Sequence, residues 1–434
     1  MRRSDLLGPL ADRQFRLLWL AATTSAVGSA FVPVALAFAV LGIGGNATSL
    51  GIVLLVGTIA GLASYQVAGV WADRLSRRSL MLTADLVRLA VEAAVAALLL
   101  TGHAKIWELA VAGAIVSIGT AFEGPASTSL VPEIIATEKL QQANSLLSIC
   151  VSGSAVVGPA LSGLMVAAVG PGWAFALDAA SFAGSAAFLL AMAPTARPEA
   201  ARQHFLADLA AGWREVASRS WAWSTLIGNA LSNMAFAIFE VLGPVLALRR
   251  LGGASGWGVV SSGMTAGALL AGVVTMWYRA RRPVSFGMAV SVLLALPAMA
   301  LAAHQPLAVI TASAVVGVCG GMILNNNWDT AIQQLVPNEV LARFRSYDYL
   351  LAFVAIPVGY AVAGPLQSAF GADRVLFGAG AVMVVANFVP AVLPSVRAVV
   401  RHKDGTITGP PLRGRRAAAA PVTQVPEDPA SEPV

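Results

Sequence analysis

Residues 17–41 run for 25 positions without one charged side chain. An α-helix rises about 1.5 Å per residue and the hydrocarbon core of a bilayer is about 30 Å thick, so about 20 apolar residues in a row fit a membrane span. Eleven further stretches of this kind follow, giving twelve spans at approximately 16–41, 48–71, 80–101, 107–130, 141–168, 172–193, 221–248, 255–278, 284–303, 306–330, 346–369 and 374–395. The ninth and tenth are separated only by His304 and its neighbours. The first run is about 25 residues long, and no small-residue cleavage site fits a signal peptide better than a retained span, so it is expected to be retained. The chain reads as an all-α membrane protein.

The charged residues agree with that reading and orient it. They make up 12% of the chain, half the share usual in soluble domains, while 57% is hydrophobic and the mean hydropathy is +0.74. Of 28 basic residues, 23 fall on the side of the N-terminus if the spans alternate. Only Lys105, Arg249, Arg250 and Arg374 fall on the other side, and Arg88 lies within a span. Basic residues accumulate on the cytoplasmic side of spans, so both termini are expected in the cytoplasm and the protein in the inner (cytoplasmic) membrane. The formal charge of +6 thus reflects topology and not nucleic-acid binding.

Several chemistries are excluded at the same stage. The three lysines follow Ala104, Glu138 and His402, so no Gly-Lys-Ser/Thr phosphate loop exists. Cys150 and Cys319 lie in apolar runs and read as small hydrophobes. His103, His204, His304 and His402 have no metal-ligand spacing. No cofactor, metal centre or enzyme constellation is expected.

The chain divides in two. Leu130-Val131-Pro132-Glu133 recurs as Leu335-Val336-Pro337-Asn338-Glu339, each just after an even-numbered span. The same offset of about 205 residues brings Gly51 near Gly258, and the basic stretch before the third span has a weaker echo at Arg279–Arg282. The expected organisation is two pseudo-symmetric six-helix bundles, 1–193 and 221–403, with a substrate path between them. They are joined by a linker, 194–220, in which Phe205, Leu209, Trp213 and Val216 mark one face of an interfacial helix. The Pro-, Ala- and Arg-rich segment 404–434 reads as a disordered cytoplasmic tail.

Polar residues inside spans are costly, about 2.5–3.5 kcal/mol for a central carboxylate on insertion scales, and so mark protein contacts or aqueous cavities. Glu123 stands in Phe-Glu-Gly-Pro of the fourth span, and Asp329 closes Asn-Asn-Asn-Trp-Asp of the tenth at a matching distance from the repeated Val-Pro. Both are candidates to carry a proton or touch substrate. Asn325 shares a helical face with Asp329; in the seventh span Asn229, Asn233 and Glu240 share another. These four are candidate substrate contacts. Asp85, Arg88 and Glu92, at i, i+3 and i+7 of the third span, read as a self-neutralising structural group, and Asp178 as structural too.

The segment Gly69 to Leu80, with Gly69, Asp73, Arg74, Arg77 and Arg78, resembles the signature between helices 2 and 3 of the major facilitator superfamily, with Ser76 in place of the usual glycine. Asp12–Leu20, Asp85-Leu-Val-Arg88, Gly124-Pro125-Ala126, Ala143-Asn144-Ser145-Leu146 and Gly158-Pro159-Ala160 with Gly163 are similar to its drug:proton antiporter branch, which includes macrolide-efflux proteins and the enterobactin exporter. The arginine many such antiporters carry in helix 4 is absent, since no basic residue lies between Lys105 and Lys139.

The resemblance implies a twelve-helix monomer that exports an amphipathic small molecule in exchange for protons by alternating access. The signature residues would gate the cytoplasmic side. Gly153, Gly158, Pro159 and Gly163 would give tight packing of helix 5. Nutrient uptake in the same fold, or a receptor or lipid translocator, are the competing readings. Of the two basic stretches only the first holds an acid, so Asp73→Asn is expected to lower turnover far more than Arg281→Gln. A two-state bias of 1–3 kcal/mol corresponds to about 5- to 150-fold. Transport rates of the two variants in proteoliposomes check it, and equal losses would reduce the stretch to a membrane anchor.

Overall fold

The computed structural model describes residues 8–72, 76–194 and 217–410; the side chains of 66–72, 338, 339, 342, 343 and 346 are outside that description. Helix α1 (Arg13–Ser29) is capped by Asp12, whose carboxylate accepts from the backbone N–H groups of Gln14 at 2.8 Å and Phe15 at 3.1 Å. Pro33 has no N–H for the Ser29 carbonyl, and the first span accordingly breaks and resumes as α2 (Val32–Gly42). Then follow α3 (Ala47–Ala72), α4 (Arg77–Leu100), α5 (Ile106–Ile134), α6 (Leu140–Val169) and α7 (Pro171–Ala191).

The second half holds α8 (Ser220–Arg250), α9 (Ala254–Trp277), α10 (Pro283–Ser291), α11 (Leu296–Ala302), α12 (Leu307–Leu335), α13 (Asn338–Phe353), α14 (Ile356–Phe370), α15 (Ala372–Val392) and the short α16 (Pro394–Arg397). The ninth and eleventh spans break before Pro297 and Pro357, for the reason the first does. Eleven spans among the described residues are long and apolar enough to cross a membrane. The twelfth, α4, is excluded from that set by composition, because it carries Asp85, Arg88 and Glu92 within its length. The fold is the twelve-helix major facilitator arrangement.

The first and last described residues, Gly8 and Pro410, lie at one end of the bundle, here the terminal face; the opposite end is the distal face. Distal connections are very short. Gly170 (φ +90°) is the whole turn between α6 and α7, and Gly371 (φ +83°) is that between α14 and α15. Both conformations are ones only glycine adopts freely. Outward-facing side chains such as Ile149, Leu164, Met276, Trp277 and Val385 are apolar and exposed, as a lipid-facing surface requires.

The two halves meet along two seams, α6 with α9 and α3 with α14. At each, glycine lets one backbone touch the other. Gly258 of α9 lies against the Pro159 carbonyl, and Gly51 of α3 against the Tyr360 carbonyl. Gly163 faces Ala254, and Gly364 faces Thr48. These pairs exchange under the repeat that related Gly51 to Gly258. Gly158 packs on Ala30, and the Ser162 hydroxyl donates to the Phe31 carbonyl at 2.6 Å, tying α6 to the break in the first span. Gly153 does not belong to this set. It is exposed, with nothing within contact distance, because it sits on the opposite side of α6. The glycines making contact across the seams lie toward the distal face, so among the described residues the halves are closed there.

After α16 the chain does not simply leave the bundle. Val400–Arg401 pairs antiparallel with Ile407–Thr408, and Ile407 is buried beside Trp221, Trp328, Phe344 and Val399. Its N–H donates to Gln334 Oε1 at 2.7 Å, and the Arg401 N–H donates to the Arg281 carbonyl at 2.8 Å. The expected disordered tail therefore cannot start at 404: residues 404–410 are held by an apolar anchor and backbone hydrogen bonds. The rest of that tail and the interfacial linker helix, with Phe205, Leu209 and Trp213, lie outside the described residues.

A large side chain in a seam should pry the halves apart at the distal face. In a cysteine-free background carrying Ser262→Cys, Gly258→Leu is expected to raise distal thiol-labelling at least about fivefold, the low end of a 1–3 kcal/mol overpacking cost. Gly272→Leu, on an open helix surface, should leave it unchanged. Labelling rates with an impermeant maleimide decide.

Candidate functional site

A cavity of about 720 Å³ lies between the halves, walled by the break in the first span, α6, α8 and α9. Ser29, Pro159, Phe236, Trp257 and Tyr360 contribute to it, and Glu240 is the one charged residue among its described lining residues. The Tyr360 hydroxyl donates to Glu240 Oε2 at 2.7 Å. Tyr360 stands in Gly359-Tyr360-x-x-x-Gly364, the counterpart of Gly158-Pro159-x-x-x-Gly163 in the first half. That internal match was the signal that could have found it.

A second chamber of about 490 Å³ lies nearer the terminal face, within the second half, and meets the first at Phe236 and Val318. Asn229, Asn233, Asn325 and Asp329 line it together with Asn326, Arg345 and Asp348. The seventh-span stripe is thus divided: Glu240 belongs to the central cavity, Asn229 and Asn233 to the polar chamber. α8 is long enough to pass both, and helical periodicity alone says nothing about depth. Asn233 Nδ2 donates to the Ala352 carbonyl at 2.8 Å, close to the α13–α14 break.

The three consecutive amides point three ways. Asn325 is exposed to the chamber, Asn326 donates to Thr275 Oγ1 of α9 at 3.2 Å, and Asn327 is buried and bonds back to the Ile323 carbonyl at 2.9 Å. Asp329 is half-exposed and forms an ion pair with Arg345, which also lies 3.4 Å from Asp348. Trp328 Nε1 donates to Asp348 Oδ1 at 2.8 Å, so this acid is shared by an arginine and an indole.

Glu123 is not alone either. It forms an ion pair with Arg88, which also bonds Asp85 Oδ1 at 2.7 Å and lies 4.3 Å over the Phe182 ring. Ser185 of α7 donates to the other Asp85 oxygen at 2.6 Å. Asp178 accepts from Ser29 and Ser181, each at 3.2 Å. Asp85, Arg88, Glu92 and Asp178 are each 1–3% exposed. Sequence spacing grouped the three residues of α4 and read them as a self-neutralising structural group. The packing of α4 on α5 and α7 puts them in the interior with two further acids, where one arginine faces four carboxyls.

Of the signature residues, Arg77 pairs with Glu133 at the end of α5. Arg78 donates from Nε to the Leu189 carbonyl at 2.7 Å and from an Nη to that of Leu190 at 3.0 Å. A cation on the last carbonyls of α7 is the favourable end of that helix's dipole. Gly69 lies in α3; Asp73 and Arg74 fall outside the described residues.

The two arginine clusters differ in burial, which sets what each is worth. Removing Arg88 leaves interior acids without their cation, a change that costs about 3–5 kcal/mol. Removing Arg345 from its half-exposed pair costs about 0–1 kcal/mol. Arg88→Met is therefore expected to lower the thermal midpoint of the purified protein clearly and Arg345→Met hardly at all, read by a melting curve in detergent.

Comparison with known proteins agrees with this architecture. The profile of the family described as transmembrane secretion effector matches residues 4–406. The multidrug efflux pump Tap of Mycolicibacterium fortuitum is 27% identical over 409 residues, 88% of this chain and 96% of Tap. Macrolide efflux protein A of Streptococcus pyogenes is 27% identical over 152 residues, 35% of this chain and 38% of the relative. Among solved structures, the nucleoside transporter NupG superposes with a TM-score of 0.72 at 13% identity, covering 87% of this chain and 98% of that one. The chain belongs to the transmembrane secretion effector family of the major facilitator superfamily, and is a multi-pass membrane transporter, not an enzyme.

Proposed function

We propose that the protein exports a cationic amphipathic small molecule from the cytoplasm in exchange for protons. The observation that carries this reading is Glu240, a single acid in an otherwise uncharged, largely apolar cavity beside Phe236 and Trp257. An aromatic wall with one carboxylate suits a molecule whose apolar body is desolvated while its positive group finds a counter-charge. The Tyr360 hydroxyl holds the Glu240 carboxyl in place for an arriving cation. The cavity's 720 Å³ falls among volumes usual for drug-sized ligands.

The terminal face carries most of the basic residues, so it is assigned to the cytoplasm. With the halves in contact distally, a molecule reaches the cavity from the cytoplasmic side, past the polar chamber of Asn229, Asn233 and Asn325. Separation of the seams and closure of the terminal face then expose it to the outside. The full-length similarity to an efflux pump supports export over uptake. Arg77 and Arg78, each bound to the end of a neighbouring helix, serve as the cytoplasmic gate with Gly69, Asp73 and Arg74. Glu123, partly exposed and paired with Arg88, is the proton-carrying candidate that the geometry favours. Asp329, held by Arg345 near the surface, is assigned to closing the second half's cytoplasmic end.

Everted vesicles energised by a pH gradient should accumulate tetraphenylphosphonium. Glu240→Gln is expected to weaken its apparent affinity at least about tenfold, as loss of a charge-assisted contact of 1.5–3 kcal/mol would. A neutral amphipath should be affected far less. Equal effects on both probes would remove Glu240 as the counter-charge.

A further inference from the structure

The first half holds four carboxyls, Asp85, Glu92, Glu123 and Asp178, around the single guanidinium of Arg88. If all were ionised, three negative charges would remain in the interior. Isolated buried carboxylates cost far more than this fold can offset, and such groups take up protons instead. Two of the four lack the partners an anion needs. Among the described residues, Glu92 Oε2 and Asp178 Oδ2 are buried and have no hydrogen bond, while the residues themselves are 2% and 1% exposed. The others are better supplied: Asp85 has Arg88 and Ser185, and Glu123 has Arg88 and partial exposure to solvent.

The cluster also has a direction. Glu123 lies about 16 Å, eleven residues, from the terminal end of α5. Glu92 and Asp178 lie only about 10–12 Å, seven or eight residues, from the distal ends of α4 and α7. Arg88 is level with Glu123, eleven residues from the terminal end of α4, and Asp85 lies nearer that end, at eight residues or about 12 Å. At the distal end of this chain of groups, Asp178 accepts from the hydroxyl of Ser29, and Ser29 lines the same central cavity as Glu240. Among the described residues, no other charged or titratable residue from α1, α5 or α7 bonds into the group; Asp12, Arg13, Arg16, Glu108 and Glu133 sit at helix ends. The helix faces between are supplied by Ser181, Ser185 and Phe182.

We propose that Glu92 and Asp178 form a buried proton-binding site that exchanges protons with the cytoplasmic side through Asp85 and Glu123, which Arg88 holds together, and that occupation of the central cavity by a cation displaces a proton from it. The proton leaves a neutral Glu92 or Asp178 carboxyl and ends on water beyond Glu123, whose carboxylate passes it on and returns to its ion pair with Arg88. The carboxylate left behind is compensated by the cation newly placed beyond Ser29. When the cation departs on the far side, a proton re-enters and restores the neutral pair. This rests on the proton-coupled export reading and extends it, naming two acids in α4 and α7 that spacing alone marks as structural.

The test uses full-length protein and tetraphenylphosphonium. In weakly buffered solution the wild type should release protons as the probe binds. Glu92→Gln and Asp178→Asn should each cut the protons released per bound probe at least about fivefold and abolish pH-driven accumulation in proteoliposomes. Asp178→Glu, which keeps a titratable group, should restore most of both. Variants that release and accumulate as the wild type does overturn the proposal. A wild type with neither release nor pH drive sinks the proton-coupled reading itself. The buried pair is then judged separately by dicyclohexylcarbodiimide, an apolar reagent that attacks protonated carboxyls. Peptide mass spectrometry should find Glu92 or Asp178 modified in folded wild type at neutral pH and protected in strong alkali. Absence of modification overturns the site whatever the variants do.

Discussion

Backbone-to-backbone contact at the two seams is the constraint on which the rest of the molecule depends. In lipid, helices gain little from hiding apolar side chains from one another, since lipid is as apolar as they are. Close approach through small residues is what holds two such bundles together. Gly51 against Tyr360, Gly258 against Pro159, and the pairs Gly163–Ala254 and Gly364–Thr48 supply it twice over, related by the internal repeat. Contacts made by absent side chains are weak individually and can be undone together, which suits an interface that has to open. Because the seams close near the distal face, the space left between the halves becomes a cavity rather than a channel.

That closure also decides which polar residues can act. Glu240 has a partner from the far half of its own bundle, Tyr360, and faces an apolar space. Asn229 and Asn233, on the same face of the same helix, meet a wetter chamber with Asn325, Asp329 and Arg345. The first half is built differently. It contributes no charged side chain to the described cavity lining, yet it holds four buried ionisable groups and the partly exposed Glu123 just behind the wall, with Ser29 as a polar bridge between them and the cavity. In the proposed cycle, a substrate side and an ion side on separate bundles would be coupled through field and hydrogen bonding, without both ligands contending for one carboxylate.

The terminal face shows how a positively charged surface becomes a mechanical one. Arg77 and Arg78 are placed where any basic residue would satisfy the topology, but they are spent on Glu133 and on the last carbonyls of α7. Across the molecule the segment 400–408 makes a comparable brace, pinning Arg281, Gln334 and the base of α8 through one buried isoleucine and a few backbone bonds. That brace was invisible in composition, because a five-residue return between Arg401 and Ile407 looks like the polar tail that follows it.

What the sequence determined by itself was the number of spans and the twofold plan, and it set the expected direction of the spans. Each follows from one-dimensional quantities: the length of apolar runs, the side on which arginines fall, and residues repeated at a fixed offset. Lipid makes those quantities decisive, since a charge or an unpaired backbone group in it costs several kcal/mol and leaves few alternatives. The same logic picked out Glu123, Asp329, Glu240 and the asparagines as residues in need of an explanation. It could not say which explanation applied. Helical spacing relates residues on one helix, so it grouped Asp85, Arg88 and Glu92, but whether Asp178 and Glu123 join them depends on how α5 and α7 rotate against α4. It likewise could not see that Gly153 faces open space while Gly158 and Gly163 touch neighbours, or that Arg345 answers Asp329. Those outcomes were left to the tertiary structure, because rotation, depth and cross-helix distance are set by the packing of all twelve spans at once.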